Sequence, residues 1–184
     1  LNSSDEKMAF KYSVKIGKNA AKSQAHDADV SYKDLGEVAR AIKGRRVKDA
    51  FKALDDAVKL KHAIPFKRHA KGCGHRSELG GKKGRYPVKA CKLVREVLKN
   101  AVANAVSQGL DEEKLAVKMA RAYKQGEYPR HRRFWVSGAT LGYGKRAIWS
   151  NYITSRLEII VEEMEPRKPR PVKTRRRTHR RYHN

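Results

Sequence analysis

Cations dominate the residues of this chain that could do chemistry. Lys67, Arg68, Lys71, Arg76, Lys82, Lys83, Arg85 and Lys89 crowd one stretch, and glycines 72, 74, 80, 81 and 84 run through it. Arg130, His131, Arg132 and Arg133 form a second cluster, with Lys145 and Arg146 further on. Arg175, Arg176 and Arg177 centre a third, flanked by Arg167, Lys168, Arg170, Lys173, Arg180 and Arg181. Such side chains neutralise phosphates and release their counterions. Glycines among them let a backbone approach a phosphate closely. Trp135, Tyr143 and Trp149 add ring faces on which an unpaired base can stack. The plainer role for Trp149 is a cross-strand pair with Phe134.

Other constellations fall short of a site. His69, Cys73, His75 and Cys91 include no Cys-x2-Cys pair, and Cys91 falls on an apolar helical stripe, so no metal is expected. Gly142-Tyr143-Gly144-Lys145-Arg146 lacks the spacing and the Ser or Thr of a nucleotide-binding loop. Asp55-Asp56 and Asp111-Glu112-Glu113 have no neighbouring His and read as helix-surface and helix-start charges. No nucleophile–base set is present, so neither an enzyme nor a cofactor is expected.

Charge over the whole chain agrees. Among 184 residues, 44 Lys and Arg face 19 Asp and Glu, a formal net charge of +25. A free globular protein so charged repels itself, and nucleic acid is the commonest polyanion that would neutralise it. A membrane surface would need an amphipathic helix or lipid anchor to concentrate the charge, and the sequence offers neither. The first seven residues lack the apolar centre of a signal peptide, and no apolar run of bilayer length occurs. Two cysteines, Cys73 and Cys91, fit a reducing compartment better than a disulfide scaffold. Hydrophobic residues make up 39% of the chain, enough for one modest core.

The elements that must position these cations follow from periodicity. Residues 1–27 are polar and basic and read as an extension ordered by a partner. Ser31 caps a first helix, with Asp34 three residues on and Leu35, Val38, Ala39 and Ile42 as its stripe, ending at Gly44. A second helix fits residues 47–61, its stripe made of Val47, Ala50, Phe51, Leu54, Ala57 and Val58. Residues 69–86 read as a loop. Pro87 opens a third helix with Cys91, Val94, Leu98, Ala101 and Ala105 inward and Lys89, Lys92, Glu96 and Lys99 outward. Asn100 and Asn104 share one of its faces; they suit either an RNA contact or a hydrogen bond holding the following loop. Leu115, Val117 and Met119 alternate with Ala116, Lys118 and Ala120, and Leu157, Ile159 and Val161 alternate with Arg156, Glu158 and Glu162. These are two strands joined by a long basic link. With arms of about 18 residues, such a hairpin reaches on the order of 60 Å. Pro166, Pro169 and Pro171 exclude a helix from the tail.

Several ordered segments resemble one known family, the universal large-subunit ribosomal protein twenty-two, called protein seventeen in eukaryotes. Ala63-Ile64-Pro65-Phe66-Lys67-Arg68-His69 is similar to its archaeal and eukaryotic Pro-Phe-Arg-Arg segment. Gly84-Arg85-Tyr86-Pro87-Val88-Lys89-Ala90 resembles the segment that opens its long helix. Leu98-Lys99-Asn100-Ala101-Val102-Ala103-Asn104-Ala105, then Gly109-Leu110-Asp111 and Lys114-Leu115, is the most specific match. Arg130-His131-Arg132-Arg133 resembles the basic rung entering the family's hairpin, and Leu157-Glu158-Ile159-Ile160-Val161 its closing strand.

The resemblance implies an α+β fold: three helices packed on a small three-stranded antiparallel sheet, with a long protruding hairpin and basic terminal extensions. The resemblance covers roughly residues 29–163; with composition it suggests an extension (1–27), a globular domain (28–165, hairpin about 120–157) and a basic tail (166–184). It implies a structural constituent of the large subunit, bound to rRNA in the cytoplasm, beside neighbouring ribosomal proteins. The hairpin tip would help form the wall of the peptide exit tunnel and meet the nascent peptide. Neither a membrane nor a second copy of the chain is an expected partner. Trp135, Val136, Ser137, Gly138, Tyr143 and Gly144 would form the tip. There the sequence departs from the family's Arg-Ala-x-Gly-Arg motif, matching it only at Lys145 and Arg146. The competing class is a free-standing DNA- or chromatin-binding protein. That would place its cations on a recognition helix, whereas here they lie in loops, hairpin and tail. A third class, an RNA-processing enzyme, would need the acidic pairs to hold Mg²⁺.

Overall fold

The computed structural model describes residues 12–14, 17, 19–128 and 151–164. Helical stripes and strand alternation produce two sheets and three helices in these residues. Strand β1 (Ala20–Ala28) leads to α1 (Tyr32–Ile42) and α2 (Val47–Val58). Three short strands follow: β2 (Ile64–Pro65), β3 (His75–Arg76) and β4 (Lys82–Arg85). Then come α3 (Val88–Ser107), β5 (Leu115–Tyr128) and β6 (Tyr152–Glu163). The larger sheet has the order β1-β6-β5 and the smaller β2-β4-β3, all pairs antiparallel.

The helix boundaries have local causes. Ser31 Oγ accepts the Asp34 amide at 3.4 Å and caps α1, and Gly44 turns the chain away at φ 79°. α2 stops at Val58, short of the expected Lys61, because Leu60 adopts a left-handed φ of 59°. The Asp56 carbonyl there accepts the amides of Lys61 and His62. α3 begins after Pro87 and ends before Gly109, which takes φ 78°. Its expected face, Cys91, Val94, Leu98, Ala101 and Ala105, is fully buried. α3 packs on β1 and β6, α1 on β5, and α2 on α3, so one core lies between the helices and the larger sheet.

Three expectations need correction. The extension expected over 1–27 is partly folded: Ala20–Ala28 is an edge strand, with Ala21 opposite Val161 and Ser23 opposite Ile159. Its residues are too polar to show strand alternation, and β6 supplies the pairing. Ahead of it, the Ser13 amide and hydroxyl both donate to the Glu158 carboxylate. The loop expected over 69–86 contains β3, β4 and a 3-10 turn at Ser77–Leu79, so the fold has two small sheets rather than one. The strand alternation also breaks. A bulge between Val117 and Met119 shifts the register, placing Val117 opposite Val161 but Met119 opposite Ile160. Met119 thus joins Ile160 and Ala20 in a second apolar cluster, and Ala120 turns into the main core. In the same strand Glu158, between the buried Leu157 and Ile159, is itself buried and paired with Arg156.

Candidate nucleic-acid interface

The smaller sheet carries most of the expected cations that the structure describes. It stands on the core through Ala63, Ile64 and Phe66, all buried. β4 lies in the middle, with Pro65 opposite Gly84 on one side and Arg76 opposite Lys82 on the other. Gly84 is closely packed. A Cβ there would sit 2.5 Å from Leu79 Cδ1 and 3.0 Å from the Ile64 carbonyl oxygen. That glycine serves the packing of β4 against its neighbours. Gly72, Gly80 and Gly81 take φ of 67°, 63° and 75°, where a side chain would be strained.

Glu37 organises the approach to this sheet, and sequence reasoning missed it. It is fully buried on α1. Its Oε1 accepts the amides of Arg68 (2.8 Å) and His69 (3.1 Å). Its Oε2 accepts the Lys67 amide at 3.1 Å and Arg40 Nη1 at 2.9 Å. Burial pushes the carboxyl pKa up, but the three amides and Arg40 outweigh it and hold the pKa below the usual glutamate value. One carboxylate thereby fixes the backbone from which Lys67 and Arg68 project.

The expected phosphate contacts divide into two kinds. Lys67, Arg68, Lys82 and Lys83 are exposed and make no ion pair among the described residues. Arg76, Arg85 and Lys89 have internal duties. Arg76 Nε donates to the Gly84 carbonyl at 3.3 Å, and its guanidinium lies 5.2 Å from the Tyr86 ring centre. Arg85 Nη2 donates to the carbonyls of Lys71 and Gly72, both at 3.1 Å, over the Phe66 ring. Lys89 pairs with Asp29 at 2.8 Å. These three shape the surface as much as they charge it.

The remaining expected contacts lie outside the described residues. These are Arg130, His131, Arg132, Arg133, Trp135, Lys145, Arg146, Arg175, Arg176 and Arg177, together with the tip residues Val136, Ser137, Gly138, Tyr143 and Gly144. So does the alternative pairing of Trp149 with Phe134. What is described is the base of the hairpin, 14 residues of β5 against 12 of β6. Tyr128 and Tyr152 stand opposite each other there, ring centres 6.2 Å apart.

The other singled-out groups find structural roles. Asn104 Nδ2 donates to the Lys22 carbonyl at 2.9 Å, tying α3 to β1 rather than to the loop after it. Asp55 pairs with Arg95, Glu113 with Lys48, and Asp111 with Lys114. Cys91 is buried in the core and its thiol pKa is pushed up to about 12. Among the described residues, no group of three His, Cys, Asp or Glu is placed to hold a metal.

Three helices on an antiparallel sheet and the base of a long hairpin agree with the sequence resemblance, and the second small sheet is an addition to it. Residues 23–162 match the family model described as ribosomal protein L22p/L17e. The chain belongs to that family. Relatives named large ribosomal subunit protein uL22 confirm it. The protein of Methanosphaera stadtmanae is 36% identical over 159 residues, covering 86% of this chain and 98% of the relative. That of Haloarcula marismortui is 33% identical over 160 residues, with the same coverage of both chains. That of Archaeoglobus fulgidus is 43% identical over 116 residues, 62% of this chain and 75% of the relative. Members of the L22p/L17e family are structural ribosomal proteins, not enzymes.

Proposed function

We propose that this chain is a constituent of the large ribosomal subunit that holds rRNA through the exposed cations of its small sheet, hairpin and tail. The carrying observation is the set formed by Lys67, Arg68, Lys82 and Lys83: exposed, unpaired among the described residues, and fixed on a backbone that Glu37 and the core hold still. Preset cations bind phosphate without first leaving an internal partner; β4 presents Lys82 and Lys83, and the segment after β2, held by Glu37, presents Lys67 and Arg68. Arg130 to Arg133, Lys145, Arg146 and Arg175 to Arg177 extend that contact along the hairpin and tail. Trp135 and its neighbours in the tip would line the peptide exit tunnel and meet the nascent peptide. Neighbouring large-subunit proteins complete the set of partners, in the cytoplasm. Residues 166–184 act as a basic tail on the globular part.

The experiment is sedimentation of a native lysate on a sucrose gradient, blotting for this chain. Co-migration with large subunits through a moderate salt wash supports the proposal. Recovery at the top of the gradient, or with chromatin, contradicts it and favours a free nucleic-acid binder.

A further inference from the structure

Between α1 and the outer edge of β5 lies a cleft of about 490 Å³. β5 is the edge strand of its sheet. Its start is covered, since Arg46 bridges Ala116 and the Gly44 amide donates to the Val117 carbonyl at 2.7 Å. Beyond Val117, no described strand pairs with that edge, and the cleft opens there.

Two kinds of side chain line it. Tyr32 and His69 stand edge to face, ring centres 6.4 Å apart and planes at 77°, and Tyr123 lines the β5 side. Arg40, Lys43, Arg68 and Arg121 bring four cations against the one carboxylate of Glu37. That carboxylate already accepts four donors, so it braces the wall rather than offering itself to a ligand. Tyr123 is held in place as well, its hydroxyl donating to Ser13 Oγ at 2.9 Å.

We propose that this cleft receives a single unpaired nucleotide of RNA, its base against the ring of Tyr32 and its phosphate met by Lys43 and Arg121. The proposal rests on the RNA-binding reading above and assigns one site within it. A cleft of this volume is of the size that takes a small-molecule-sized group, whereas a duplex presents a convex face too broad to enter. Cations alone would suit any polyanion. Ring faces beside them suit a flipped base, since every base has a π-face to stack. An acidic peptide would satisfy the cations and leave the rings unused.

The test uses the full chain and two fluorescent RNA stems, one with a single bulged adenosine and one fully paired, read by anisotropy. The bulged stem should bind roughly tenfold tighter, the scale of one stacked base. Tyr32→Leu should abolish that preference and leave paired-stem affinity unchanged. Lys43→Gln/Arg121→Gln, at two exposed positions, should also reduce the preference and serves if the Tyr32 variant misfolds by circular dichroism. Equal binding of both stems by the wild type would overturn the proposal and leave the RNA-binding reading standing. Retention of the preference in both variants would also overturn it, as would displacement of the bulged stem by a poly-glutamate peptide at matched charge. Binding of neither stem would defeat the RNA-binding reading itself.

Discussion

The two sheets of this molecule are held by different physics. The larger, β1-β6-β5, is fixed by apolar burial: Leu115, Val117, Leu157, Ile159 and Val161 are fully enclosed under the helices. The smaller, β2-β4-β3, has Ala63, Ile64 and Phe66 as its buried apolar footing. The rest of its order comes from polar links: Glu37 to three amides, Arg76 to Gly84, Arg85 to Lys71 and Gly72, and His75 Nδ1 to the Gly81 carbonyl at 2.5 Å. A surface that must stay cationic cannot cover itself with apolar groups. It can be rigid only if some of its charges are spent internally, and here Arg76 and Arg85 serve that purpose while Lys82 and Lys83 remain available.

Substitutions should separate the two regimes. Leu98→Ala, beneath the larger sheet, should have the largest effect, a global loss of about 3–5 kcal/mol in denaturant unfolding. Glu37→Gln should cost about 2–3 kcal/mol, since a neutral amide cannot accept all four donors. Its signature is regional: hydrogen exchange should accelerate at the amides of Lys67, Arg68 and His69 before the sheet amides of β5 and β6. The same carboxylate sets a pH dependence. Its folded pKa lies below the ordinary glutamate value, so its stabilisation is present above that value and fades as pH falls through the folded pKa. Stability of the wild type should therefore drop in this acid range relative to Glu37→Gln, measured by denaturant unfolding at stepped pH. Gly84→Ala should cost about 1–3 kcal/mol by forcing β4 away from the Ile64 carbonyl, with α3 amides unaffected in the exchange profile. Lys82→Gln should change stability by less than about 0.5 kcal/mol, as expected of an exposed side chain with no ion pair among the described residues, and act on RNA binding alone. A large stability loss in Lys82→Gln, or none in Glu37→Gln, would erase the contrast between the sheets.

Legibility from sequence followed the range of the forces involved. α3 was readable because its stripe, Pro87 and Gly109 are all local signals. The capping of α1 by Ser31 was readable for the same reason. The two hairpin strands showed their alternation, but the bulge at Val117/Met119 inverted the inward face without any local mark, since Met119 is apolar either way. β1 escaped because Lys22, Gln24, His26 and Asp27 hide its strand character, and its order comes from β6, more than a hundred residues away. Glu37 escaped because its partners lie 30 to 32 residues downstream. Composition could not tell that Arg76, Arg85 and Lys89 have internal partners while the side chains of Lys67, Arg68, Lys82 and Lys83 make no ion pair among the described residues.

The most direct test is the salt dependence of binding between the full chain and large-subunit rRNA, comparing the wild type with Lys67→Gln/Lys82→Gln/Lys83→Gln. If these exposed cations contact phosphate, the slope of log affinity against log salt should flatten by about 0.7–0.9 for each contact removed, with the fold intact. An unchanged slope in a folded triple variant would mean that the small sheet does not face RNA, and the interface would have to lie elsewhere on the chain.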